Sequence, residues 1–125
     1  MKTTSTMQTA EVLRSKSVAL TEIRTEAFKV TSDNMNNGKL GDVKIGDLLL
    51  GEELTPDHWE NNLAPNKYGY VIISNGNSYH KDFINFDAAA KTSTWKSRNP
   101  AASVQDISLD LNDDCQMFKI IKIQA

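Results

Sequence analysis

Asn75 and Gly76 stand side by side between two runs rich in β-forming residues. Both residue types tolerate positive φ, which a two-residue hairpin turn demands at its centre. Tyr68 to Ser74, with Tyr70, Val71, Ile72 and Ile73 in a row, supplies one arm. Ser78 to Phe83 supplies the return strand. A hairpin commits its two strands to antiparallel pairing, so the rest of the chain reads against that frame.

The remaining apolar segments are short and bounded by turn residues, as in β-rich domains. Phe28 and Val30 alternate with Lys29 and Thr31, the pattern of a half-buried strand. Leu48-Leu49-Leu50, between Gly46-Asp47 and Gly51, reads as a buried strand. Phe86 to Lys91 holds three alanines and reads as a break with one helical turn. Thr92 to Ser97 carries Trp95, and Ile107, Leu109 and Leu111 alternate with polar residues; both read as strands. Met117 to Ile123 is apolar on both faces, which predicts an interior strand. Residues 1–21 read as an N-terminal arm, with Met7, Ala10 and Leu13 at the spacing of a short helix. Residues 22–125 then form the one domain that 125 residues accommodate. The predicted class is mainly β.

Composition narrows the function. Hydrophobic residues make up 39% and charged residues 24%, values of a globular chain. A net charge of −2 gives no strongly basic surface, so direct nucleic-acid contact is not expected. Lys91, Lys96 and Arg98 around Trp95 read as an exposed strand flanking a core tryptophan. The single cysteine, Cys115, excludes an intramolecular disulfide framework and suits a reduced, cytoplasmic setting. No apolar run reaches the roughly 20 residues that span a bilayer. Asp110-x-Asn112-x-Asp114 starts like a calcium loop, but Cys115 and Ile121 stand where glycine and glutamate are required. His58 and His80 have no nearby histidine or cysteine. No metal and no cofactor are expected.

The order of segments carries more than any one of them. Phe28-Lys29-Val30-Thr31-Ser32-Asp33-Asn34-Met35 is followed by Ile45-Gly46-Asp47-Leu48-Leu49-Leu50. Then come Tyr70-Val71-Ile72-Ile73, His80-Lys81-Asp82-Phe83, Ser97-Arg98-Asn99-Pro100-Ala101 and Phe118 to Ile123. This order, over about residues 26–124, resembles the LexA/UmuD-like family of self-cleaving serine–lysine peptidases, which includes phage repressor C-terminal domains. The resemblance implies a LexA/signal-peptidase-like folded sheet assembly. It places the nucleophile in a Gly-Asp-Ser-Met box and the lysine on the second strand of the hairpin.

Two departures bear on activity. The serine position of the box is Asn34, while the lysine position is kept as Lys81. A carboxamide cannot attack a peptide carbonyl as an activated serine does. The family's Ala-Gly or Cys-Gly cleavage dipeptide is absent as well. Ser32, two residues before Asn34, is the substitute nucleophile to consider, though it sits a side-chain step away. The stretch from Asn34 to Lys81 is also long for the family, with the excess around Asn36–Lys44 and Leu54–Asn66. The expected site is therefore degenerate, with Lys81 either donating to the Asn34 amide oxygen or to Asp82, or standing as a solvated strand lysine. The resemblance implies a dimerising or partner-binding module in prophage or DNA-damage regulation. Its surface would be the closing strand, Phe118, Ile120, Ile121 and Ile123, and its partner a second copy or a related repressor. Three alternatives stand beside it: an active autopeptidase using a shifted serine, an accessory subunit of a translesion polymerase, and an unrelated small β-rich protein.

Overall fold

The computed structural model describes residues 11–20, 23–36, 43–55, 59, 63–101, 106–110 and 115–124. Readings that fall on residues 1–10, His58 and 111–114 lie outside the described residues. Eight strands follow one another: β1 (Val12–Leu20), β2 (Ile23–Val30), β3 (Leu48–Leu54), β4 (Tyr70–Ser74), β5 (Asn77–Asp87), β6 (Thr92–Lys96), β7 (Asp106–Asp110) and β8 (Gln116–Gln124). They form one sheet in the order β1-β2-β3-β8-β4-β5-β6-β7, with every neighbouring pair antiparallel. The chain is mainly β.

The β4–β5 hairpin turns at Asn75 and Gly76, whose φ values of 53° and 79° fit the residue types that stand there. Its register places Tyr70 opposite Lys81 and Val71 opposite His80. β8 lies between β3 and β4, an interior strand. Its first half is buried on both faces and its second half on one.

Three expectations are corrected. Residues 12–20 are not part of an arm or helix: they pair along their length with β2. The Leu48–Leu50 run is not buried throughout, because the pleat turns Leu48 outward at 38% exposure while Leu49 is fully covered. The alanine segment is no helical turn, since β5 continues to Asp87 and the chain reverses there. The Asp87 carboxylate accepts from the N–H groups of Ala89 and Ala90, and Lys91 takes a φ of 57°.

The sheet curls until its first edge meets β5. The Glu11 N–H donates to Ser78 O, and the Ser78 hydroxyl donates to Val12 O, each at 2.9 Å. Strands β1, β2, β3, β8, β4 and β5 thereby close into a ring. Inside it lie Val12, Phe28, Val30, Leu49, Val71, Phe118 and Ile120, joined by Met35 and Val43. The opposite face of β4 and β8 carries Tyr70, Ile72 and Met117, packed with Trp59, Trp95 and Cys115. β6 and β7 extend this second face beyond the ring. Trp95 is fully buried between Tyr70 and Phe83, at ring-centroid distances of 5.4 and 5.3 Å.

Candidate functional site

Asn34 and Lys81 reach one place from distant parts of the chain. Asn34 lies in the turn after β2, and Lys81 lies midway along β5. Both are buried, at 3% and 0% exposure. Between them stands Glu11, at the head of β1 and itself 2% exposed. Its Oε2 accepts from Asn34 Nδ2 at 2.8 Å and from Lys81 Nζ at 2.9 Å. Its Oε1 accepts from the His80 main-chain N–H at 2.9 Å. One carboxylate thus receives an ammonium, a carboxamide and a peptide amide.

Each donor is held by other parts of the fold. Lys81 Nζ also donates to Ser97 Oγ at 2.5 Å, just past the end of β6. The Asn34 carbonyl accepts from the Asn99 N–H at 2.9 Å, and Asn99 Nδ2 donates to Asp33 O at 3.0 Å. The Asn99-Pro100 turn therefore fixes the turn that carries Asn34. Next to it, Arg98 forks onto Asp82 at 2.8 and 2.9 Å and donates to Lys67 O at 2.6 Å. Gly69 sits under this region with a φ of 77°, and a Cβ there would lie 2.8 Å from Lys81 O. Only glycine fits that approach.

His80 faces the interior. Its Nε2–H donates to Tyr68 O at 2.8 Å, while Nδ1 has no hydrogen-bond partner among the described residues. Burial pushes its pKa down from 6.5 to about 4; the Tyr68 carbonyl and the Asp82 charge oppose that shift, while the positive charges of Arg98 and Lys81 add to it.

The expected partners of Lys81 are replaced. Its ammonium bonds Glu11 and Ser97, and Asp82 is held by Arg98 instead. The Ser32 hydroxyl accepts from the Asn34 N–H at a long 3.4 Å. Glu11 and Ser97 were missed by sequence reasoning. Ser97 opens the Ser97-Arg98-Asn99-Pro100 segment, so its proximity to Lys81 was open to inference. Glu11 offers no such signal, because its partners are 23 and 70 positions away.

The four residues assigned to a partner surface divide. Phe118 and Ile120 are fully buried in this chain's own ring core, so they are corrected to structural residues. Ile123 is half-buried against that core. Ile121 is 39% exposed, because it is the extra residue of a β-bulge opposite Leu50 and Gly51. No group of three or more metal-binding side chains occurs among the described residues, and no helix there is long and apolar enough to cross a membrane. No family model, curated protein or solved structure matches the chain.

Proposed function

We propose that this chain is a non-catalytic LexA/UmuD-like domain, acting as a dimerising or partner-binding module in prophage or DNA-damage regulation. One observation carries the reading: Asn34 and Lys81, the positions that match the family's serine and lysine, share one carboxylate oxygen. Residue 34 has no hydroxyl, and the lysine is committed to an ion pair with Glu11. A lysine so paired is a cation and a donor, not a base for a serine. Of the exposed large apolar side chains, which also include Leu13, Ile45 and Ile84, Ile121 and Leu48 lie on the neighbouring strands β8 and β3 and are the pair this reading assigns to association. A second copy or a related repressor in the cytoplasm is the partner that this reading implies.

The test rebuilds what the chain lacks. In Asn34→Ser/Glu11→Gln, a fluorophosphonate probe is expected to label residue 34, and the label is expected to vanish when Lys81→Met is added. A folded but unlabelled double variant removes the family reading. The wild-type chain is expected to stay unlabelled and to keep its intact mass at alkaline pH. Sedimentation velocity at micromolar concentration is expected to show a dimer that Ile121→Asp dissolves.

A second reading, an active enzyme with a shifted serine, is favoured by the Ser97–Lys81 hydrogen bond. Its signature is labelling of the wild-type chain at Ser97 or Ser32, which overturns the non-catalytic reading.

A further inference from the structure

We infer that Lys81, Asn34 and the His80 N–H form a carboxylate-binding site, and that the Glu11 side chain is its tethered ligand. The inference stands apart from any family membership.

All three groups contacting the carboxylate are donors, and they engage both oxygens. The two side chains that contribute are almost wholly buried. A carboxylate is the anion this set suits: planar, with one oxygen toward the main-chain amide and the other between ammonium and carboxamide.

The donors do not depend on Glu11 for their places. Ser97 holds Lys81, the Asn99 turn holds the main chain of Asn34, and β4 pairs with β5 up to Lys81. A receptor held from outside its ligand persists when the ligand is cut away. The buried ammonium then needs a counter-ion, because an unpaired charge in the interior is costly.

β5 shows why the ligand is tethered here. Its second half, from Asp82 to Asp87, pairs with β6. Its first half has that edge covered by Glu11 and Val12, through Ser78 and His80. The carboxylate is thus the clasp that holds the head of β1 across the open part of β5. The chemical class the site takes is a monocarboxylate, or an acidic side chain on an extended segment.

The experiment cuts the tether and offers the ligand back. Full-length Glu11→Ala is unfolded thermally in sodium acetate and in sodium chloride of equal ionic strength. Acetate is expected to raise the midpoint of Glu11→Ala saturably, by about 5 °C at concentrations well above its dissociation constant. No such difference is expected in the wild type, whose site is filled, or in Glu11→Ala/Lys81→Met, whose site lacks the cation. Acetamide, the same shape without charge, is expected to do nothing. If Glu11→Ala is unfolded in chloride, the same titration is read as recovery of the β-sheet circular dichroism signal. Recovery with acetate supports the site. An acetate effect that is equal in all three proteins, or absent from Glu11→Ala by both readouts, overturns it.

Discussion

The two faces of β4 present opposite solutions to burial. Val71 points into the ring, among aliphatic side chains and the Phe28–Phe118 pair at 5.0 Å. Tyr70 and Ile72 point the other way, into a layer built around Trp95. The aromatic layer satisfies its polar atoms locally: Trp95 Nε1 donates to Ser93 Oγ at 2.7 Å and Tyr70 Oη donates to Ala64 O at 2.8 Å. At the edge where the ring closes the fold instead carries a seam of charge: Lys81, opposite Tyr70, is buried together with Glu11. Apolar packing holds one region, and a long-range ion pair fastens the other. The first should lose stability in proportion to volume removed, and the second in proportion to charge left unpaired.

Substitutions in each region and one pH series separate them. Trp95→Ala empties the aromatic layer and is expected to cost about 4 kcal/mol in chemical unfolding. Lys81→Met strands the Glu11 carboxylate and is expected to cost about 3 kcal/mol, and adding Glu11→Leu should return part of that loss. The return is partial because Asn34 and the His80 N–H then lose their acceptor. No gain from the second substitution would mean that the seam is held by shape and not by charge.

His80 gives the ring a pH signature. Its pKa is near 4 when folded, against 6.5 in the unfolded chain, so between these values the unfolded state binds more protons. Its contribution is fully present above pH 6.5 and is lost as pH falls toward 4, by about 3 kcal/mol in all. The slope of stability against pH in that window should flatten in His80→Gln, which keeps a donor for Tyr68 O. An unchanged slope would assign the acid sensitivity to other groups.

Gly51→Ala probes where β3 crosses β8, because the new Cβ would lie 2.9 Å from Phe118 Cβ and 3.1 Å from Ile120 Cδ1. The Ile120 methyl can turn aside, but Phe118 Cβ is fixed to its backbone, so a loss of about 2 kcal/mol is expected. Ile121→Ser, on the bulge, should change monomer stability by less than about 0.5 kcal/mol.

Local chemistry made part of this legible from sequence. Asn75-Gly76 announced the hairpin because few residue pairs accept two positive φ values in succession. Met117 to Ile123 announced an interior strand because its apolar residues fall on both faces, with only Lys119 and Lys122 between them. β1 was hidden, since the spacing of Met7, Ala10 and Leu13 has the period of a helix while the pairing of Val12–Leu20 is decided by β2. Asn34 and Lys81 were reached through the order of segments, not through any property of their own neighbourhoods. Glu11 was invisible because a lone glutamate in a polar stretch looks solvated until its distant partners are placed beside it. The leucines of β3 looked uniformly buried because a three-residue run hides the alternation that the pleat imposes.

The seam has a consequence for how the chain becomes a folded protein. Glu11 precedes His80 and Lys81 by 69 and 70 positions. During synthesis it leaves the ribosome well before either partner exists, so the β1–β2 pairing can form while the clasp cannot. Closure of so long a loop carries an entropic cost that local hairpins avoid, and such contacts slow folding. The ring is therefore expected to close last in refolding, after the β4–β5 hairpin, with Glu11→Gln changing the unfolding rate far more than the folding rate.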